Sequence, residues 1–262
     1  MGKVLRLQNI LAIFGLISFT NKGKYYMSNI KNLRLRWSEE LSGENSTKLS
    51  IADYINIILW GGKVKAKDVA KTYNQTTAYV LEIFETARKE RVLPESPFGL
   101  TDDGLIDYRG FPLRQQLVRL QISNVDFSYT ISEGAGSLNA CKVKNSLFVE
   151  TNFDGTPLGS VFENCNFNNA SLKNGGFGSP ENLYLLDCSF IDTNFTGAGS
   201  HGAKFTRCSF ERSNMKKAHF TSCVFEECNF GGAKFHNGSL AGCKFISDHP
   251  SDEQLGNTVM KW

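Results

Sequence analysis

The groups in this chain best equipped for chemistry are seven cysteines (Cys141, Cys165, Cys188, Cys208, Cys223, Cys228, Cys243) and four histidines (His201, His219, His236, His249). Thiolates and imidazoles serve as nucleophiles, redox couples and zinc ligands. The spacing points away from all three uses. No Cys-x-x-Cys pair occurs, and no HExxH, GxSxG, P-loop or GxGxxG motif is present. The cysteine count is odd, so a complete set of disulfides is excluded. Small unpaired thiols fit buried filler in a reducing compartment, which places the protein in the cytoplasm. His201 and His219 fall on one outward face without a carboxylate at ligand spacing. We therefore expect no catalytic, cofactor-binding or metal-binding residues, and no enzyme.

What positions the cysteines is a strict repeat of five. Phe190, Phe195, Ser200, Phe205, Phe210, Met215, Phe220, Phe225, Phe230, Phe235, Leu240 and Phe245 recur without a slip. Two residues before each stands something small, among them Cys188, Ala203, Cys208, Cys223, Cys228 and Cys243. Upstream, Phe162, Phe167, Leu172 and Phe177 keep the period, with Cys165 in the small position. Leu138, Val143, Phe148, Phe153 and Leu158 form an earlier run, with Cys141 before Val143. Ile122 and Phe127 mark the start of the first coil.

In an extended segment residues i−2 and i face the same way. Because five is odd, a straight strand would turn its apolar set to the opposite face at every repeat. A helix leaves no stripe at this period. The chain must instead turn a corner once per repeat, which makes a coil of very short strands.

These tandem fives, such as Cys208-Ser209-Phe210-Glu211-Arg212 and Ala233-Lys234-Phe235-His236-Asn237, resemble the pentapeptide-repeat family. The resemblance implies a mostly β fold, a right-handed quadrilateral β-helix with one repeat per side. A step of 20 then stacks Phe190, Phe210 and Phe230 over one another, and Cys188, Cys208 and Cys228 likewise. The repeats make about six coils, or roughly 28 Å of rod at ~4.8 Å per stacked strand. Counting faces puts Cys165 in the same column as Cys188 and sends the extra residues Ser179-Pro180-Glu181 to a corner. The structural core is then Phe190, Phe195, Phe205, Phe210, Phe220, Phe225, Phe230, Phe235 and Phe245, with Cys165, Cys188, Cys208, Cys223, Cys228 and Cys243.

The rest of the chain is organised around this rod. Residues 1–27 have a basic start and an apolar run too short for a membrane span. They lack a small-x-small cleavage site and read as a leader or upstream extension outside the fold. Residues 28–112 read as a small helical domain, with helices from Ser50 to Trp60, Lys67 to Tyr73 and Thr76 to Arg91. Leu93 to Pro112 reads as a linker or small hairpin. The β-helix occupies 117–248. Residues 249–262 form a cap over the last coil or, by slight preference, a homodimer contact. Charge divides the same way: residues 1–117 carry 17 Lys and Arg against 12 Asp and Glu, whereas 118–262 carry 12 against 14.

The helices flanking Asn74-Gln75 have helix-turn-helix spacing. Thr76, Thr77 and Tyr79 are then weak candidates for DNA contact. Any compact three-helix cap has the same pattern, so nucleic acid is not the favoured partner. The leading expectation is a non-enzymatic protein-interaction module that uses the flat faces of the rod, with an unidentified protein partner. Two alternatives stand beside it. One is protection of a topoisomerase (DNA gyrase) by DNA mimicry, which the resemblance brings in and which needs an acidic surface. The other is a DNA-binding regulator acting through the helical domain.

Overall fold

The computed structural model describes residues 30–41, 49–61, 63–87, 93–114, 117–132, 138–178 and 183–261. The 1–27 segment, the last turn of the helix expected to reach Arg91, the insertion at Ser179-Pro180-Glu181 and Trp262 lie outside them.

The helical region opens with α1 (Ile30–Leu35), which runs into a 3-10 turn at Arg36–Ser38. Neither is signalled by the sequence, because the segment is too short to show a helical period. α2 (Ile51–Trp60) comes next, then α3 (Ala66–Thr72) and α4 (Thr77–Ala87). Ser50 caps α2, its Oγ accepting from the Asp53 N–H at 3.1 Å. α2 is apolar on two sides. Ile51, Ala52, Ile55 and Leu59 join the core of the rod. Tyr54 and Ile57 pack with Val69, Ala70, Val80, Ile83 and Phe84 of α3 and α4.

The rod is wound from short parallel strands: β1 (Ile106–Asp107), β2 (Gln121–Ser123), β3 (Val125–Asp126), β4 (Asn139–Lys144), β5 (Pro157–Glu163), β6 (Gly176–Phe177), β7 (Tyr184–Leu186), β8 (Gly199–His201), β9 (Lys204–Thr206), β10 (His219–Thr221), β11 (Val224–Glu226) and β12 (Lys244–Ile246). Single bridges such as Ser189↔Ser209 and Asn194↔Asn214 continue the ladder on the remaining sides. Four faces result. The first carries the inward column Ile122, Val143, Phe162, Leu185, Phe205, Phe225 and Phe245. The second carries Phe127, Phe148, Phe167, Phe190, Phe210 and Phe230. The third carries Phe153, Leu172, Phe195, Met215 and Phe235, and the fourth Leu158, Phe177, Ser200, Phe220 and Leu240. It is a β-solenoid of about six turns with a small helical region ahead of it.

One residue per repeat resolves the odd period. The residue two after each inward side chain sits in the left-handed region: Asn145, Asn164, Asp187, Asp192, Arg207, Arg212, Lys217 and Glu227 have φ between 49° and 58°. On the second and third faces an i→i+3 bond closes this corner, as from the Thr193 N–H to the Phe190 carbonyl at 3.2 Å. That is the signature of a type II turn. Where the repeat loses a residue, between Leu158 and Phe162, the corner is gone. β5 runs straight through, and no residue from 157 to 163 has positive φ. Successive turns of the second column are 21, 19, 23 and then 20 residues long from Phe127 to Phe210.

The core is a set of stacked rings. From Phe127 through Phe148, Phe167, Phe190, Phe210 and Phe230 the centroids lie 5.5, 4.7, 5.0, 5.1 and 5.5 Å apart, with planes within 17° of parallel. Such stacks add to the burial of a large apolar side chain. Ser200 stands at an inward position of the fourth column, where its neighbours in the ladder are Phe177 and Phe220. Phe177 leans toward Phe205, 5.5 Å away.

Parallel pairing begins at Ile106, ahead of the boundary expected at 117. A hairpin joins Leu100 to Ile106, as the linker reading allows, but β1 then pairs with β3. Tyr108 lies 5.4 Å from Phe127. The repeat is hidden there because Tyr108 replaces Phe and Ile106 replaces the small residue. At the other end the tail closes on its own rod, as the capping alternative expects. α5 (Asp252–Leu255) is fixed by a capping box between Ser251 and Gln254. The Phe235 N–H donates to the Gln254 carbonyl at 3.0 Å, and Val259 pairs with Ser239. Leu255 is buried. On the first face His249 lies 4.8 Å from the Phe245 ring. Phe245 and Cys243 are half-buried, unlike the other core residues of the five-residue repeat.

Candidate interaction faces

Each outward position follows from the corner beside it. The residue before the inward side chain is often Asn, because its Oδ1 accepts the backbone N–H two residues on. Asn152, Asn166, Asn194, Asn214 and Asn229 do so toward Asp154, Asn168, Thr196, Lys216 and Gly231 at 2.8–3.3 Å. A backbone N–H only donates, so the amide oxygen is fixed inward along the corner and Nδ2 is left outward. At the corner after the first face a different pattern holds: Asn164 Nδ2 donates to Asn145 Oδ1 of the preceding coil at 3.0 Å, forming an amide ladder.

Charged residues stack in pairs along the axis. Arg207 meets both oxygens of Asp187 at 2.7 and 2.8 Å, and Arg212 those of Asp192 at 2.9 and 2.8 Å. The 20-residue step also places Arg207 over Glu227. The two do share a column, but the short Asp187 side chain holds its carboxylate at the corner, where the planar guanidinium engages both oxygens. On the first face Lys204 pairs with Glu226 and Lys144 with Glu163. These pairs are exposed and each contributes little to stability. Their consequence is electrostatic: Glu163, Asp187, Asp192 and Glu226 each face a basic partner one coil away.

The cysteines form two inward columns. Cys165, Cys188, Cys208 and Cys228 lie in register, since Asn166 pairs with Ser189 and Ser189 with Ser209. Each thiol donates to a carbonyl of the preceding coil. Cys188 reaches Phe162 at 3.6 Å, Cys208 reaches Leu185 at 3.5 Å and Cys228 reaches Phe205 at 3.5 Å. The Thr193 hydroxyl makes the same contact to Phe167 at 2.7 Å. The small position selects first for volume, since Ala170, Ala198, Ala203, Ala218 and Ala233 also occupy it, and a compact donor can be satisfied there. Burial pushes the Cys188 and Cys141 thiols up, away from the thiolate. Among the described residues no group of three or more His, Cys, Asp or Glu is arranged to hold a metal ion. His201 and His219 are exposed on the fourth face, with His201 opposite Thr221 rather than opposite the other imidazole.

Thr76 and Thr77 are exposed at the start of α4, while Tyr79 is half-buried against the helical cluster. Glu82 and Glu85 are exposed farther along the same helix. No helix among the described residues is long and apolar enough to cross a membrane.

The cluster that fastens the helical region to the rod has no sequence motif. Asp107, 4% exposed, receives Arg36 at 2.6 and 2.9 Å and Arg109 at 2.8 and 3.0 Å. Trp37 Nε1 and Arg36 Nη2 both donate to the Arg109 carbonyl at 2.8 Å. Burial pushes the Asp107 carboxyl up, but the two guanidiniums outweigh it and hold the group at about 2. Neighbouring Asp126 is raised, chiefly by burial.

Fold and surface together define a flat-sided β-solenoid whose sides are ladders of small polar and charged groups. Residues 213–246 match a family model described as pentapeptide repeats, in eight copies. The rod is built of pentapeptide repeats. No curated protein matches the chain. Among solved structures it is similar to trypsin-treated QnrB1, a plasmid-mediated fluoroquinolone resistance protein, at 18% identity and a TM-score of 0.28, covering 48% of this chain and 63% of that one. The chain thus spans less than two thirds of that structure. It is also similar to HetL, involved in heterocyst differentiation regulation in the cyanobacterium Nostoc, at 12% identity and a TM-score of 0.26, covering 59% and 90%. A third is a thylakoid-lumen pentapeptide repeat protein from Arabidopsis thaliana, at 20% identity and a TM-score of 0.18, covering 51% and 71%.

Proposed function

We propose that the protein is a non-enzymatic interaction module that presents a flat face of the rod to a protein partner, with the helical region as a fixed N-terminal cap. The observation that carries this reading is the outward ladder itself. Side chains on either side of each inward residue are held at a repeat of ~4.8 Å along a rigid axis. Such a surface recognises by complementarity over area rather than by enclosing a small molecule. Seven unpaired cysteines support a reducing compartment, and on that ground we place the module in the cytoplasm.

DNA mimicry toward a topoisomerase is not favoured. It needs uncompensated acids, and here Asp187 and Asp192 are held by Arg207 and Arg212. A DNA-reading role for α4 is opposed by Glu82 and Glu85, which would face phosphate alongside Thr76 and Thr77. The test is substitution face by face. Outward residues of one face are exchanged in the full chain, and retention of a native partner is measured by pull-down with each variant. One face should abolish capture while the others leave it intact. Equal retention by every face variant would refute the reading.

A further inference from the structure

The charge of the rod is unevenly distributed over its sides. Lys234 continues the outward row Asn152, Ser171, Asn194 and Asn214, so it belongs to the third face. Lys173 and Lys216 lie two residues after Ser171 and Asn214 and project on the same side. Lys217 is the corner residue next to Lys216, and its N–H donates to the His236 carbonyl at 2.9 Å. All four lysines are exposed, and none forms an ion pair among the described residues. Asp154 is the outward carboxylate of this face among the described residues, and its Oδ1 already accepts from Ser171 Oγ and the Lys173 N–H; on the opposite corner from Lys217 stand Glu150 and Asp192, the latter held by Arg212. Asp252 and Glu253, beyond the last coil in α5, form no ion pair with Lys234.

The neutral groups of this face point the same way. Asn152, Asn194 and Asn214 use Oδ1 to close their corners. Their Nδ2 donors are left to the surface. The face therefore presents ammonium and amide donors with few acceptors to balance them, whereas Lys144 and Lys204 on the first face are matched by Glu163 and Glu226.

We propose that the third face, around Lys173, Lys216, Lys217 and Lys234, is the docking surface for an acidic protein segment. This rests on the reading of the rod as an interaction module. Three coil steps separate Lys173 from Lys234, so the surface is roughly 14 Å long at ~4.8 Å per step. Carboxylates spaced about 5–10 Å apart along an extended or helical segment would each meet a donor. Nucleic acid fits the same face less well. No Phe, Tyr or Trp side chain projects from the described part of it to stack on a base, and the His236 ring is half-buried against Gly256.

The test uses the full chain, a labelled poly-glutamate peptide of about 20 residues and a duplex DNA of about 20 base pairs, with binding read by fluorescence anisotropy at low and high salt. Lys173→Gln, Lys216→Gln and Lys234→Gln are combined in one variant. A control of equal charge change combines Lys142→Gln, Lys144→Gln and Lys204→Gln on the first face. The peptide should bind the third-face variant at least about tenfold more weakly, and the control within about twofold of the parent, with affinity falling as salt rises. Equal losses in both variants would overturn the assignment to this face. Tighter binding of the duplex than of the peptide would overturn the partner class. A native partner released only by first-face substitutions would sink this inference and leave the interaction-module reading standing.

Discussion

Trp37 stacks on Tyr108 with ring centroids 5.3 Å apart and planes 29° from parallel. A ring from the helical region thus heads the aromatic column that Tyr108 passes to Phe127 and on to Phe230. The first coil of a solenoid has no coil before it to cover its apolar cross-section. Here the cap supplies the missing layer. Trp37→Ala should cost roughly 3–5 kcal/mol, lower the urea midpoint, and raise hydrogen exchange over residues 117–132 more than over 205–246. Uniform exchange along the rod would mean that the cap and first coil are not coupled.

The Arg36–Asp107–Arg109 cluster predicts an acid-sensitive latch. The folded pKa of Asp107, about 2, lies below the unfolded value of about 3.9. Its stabilisation is therefore present above that unfolded value and is lost as pH falls through the folded one. The amount is on the order of 2 kcal/mol. Asp126, with a raised pKa, acts in the opposite sense over the carboxylate range. Asp107→Asn should lower the urea midpoint near neutral pH and leave it nearly unchanged close to about pH 2. A loss of equal size at both pH values would remove ionisation from the explanation.

Thiol reactivity should follow the open end. Cys243 is half-buried while the other six are buried. With an aromatic disulfide reagent, one thiol should react in the native protein and the rest only on unfolding. Cys208→Ser should cost about 1–2 kcal/mol, because a hydroxyl in the small position is held by a carbonyl at Thr193 but left without a partner at Ser213. Rapid native labelling of Cys188 or Cys208 would contradict their inward register.

Inward and outward residues should differ sharply in tolerance. Phe210, fully buried between Phe190 and Phe230, should cost roughly 3–5 kcal/mol on change to Ala. Ser209→Ala, one residue away and facing out, should stay within about 0.5 kcal/mol. Chemical denaturation of the two variants decides, and comparable losses would defeat the assignment of faces.

Removal of residues 251–262 strips the backbone bonds that Gln254 and Val259 make to the last coil. The truncated protein should melt at lower temperature and self-associate, since it would expose the strand edges of the third and fourth faces. Sedimentation that found it an unchanged, equally stable monomer would show that the tail is not a cap.

How much of this is legible in the sequence varies along the chain. From Phe190 to Phe245 one residue type recurs at one spacing, so the inward column and the cysteine positions are both visible. The corner conformation is not, because Asn, Asp, Arg, Lys and Glu all occupy it. Their positive φ is imposed by the ladder rather than by glycine-like freedom. Before Ile122 the repeat is disguised: Tyr108 and Leu113 keep the geometry while losing the Phe signature. The Arg36–Asp107 contact spans 71 residues, and no local pattern announces so distant a partner. The lysine face is masked in another way. A net charge over the whole rod averages its sides, and only the register separates Lys216 and Lys234 from Lys204.

The uneven turns of the rod have a consequence for how such a protein can change. Between Phe127 and Phe190 the coil gains a residue, loses one, then gains three, yet the rings on either side stay 4.7–5.5 Å apart. The loss is absorbed in β5, where the corner between Leu158 and Phe162 is gone, and all three changes leave the later coils in place. In a single long helix or strand, one inserted residue rotates or flips everything downstream. Here an insertion is a local event: the sequence carries three extra residues between Phe177 and Leu185, and Phe190 still stacks on Phe167. Length can therefore vary between coils while the columns on both sides keep their alignment.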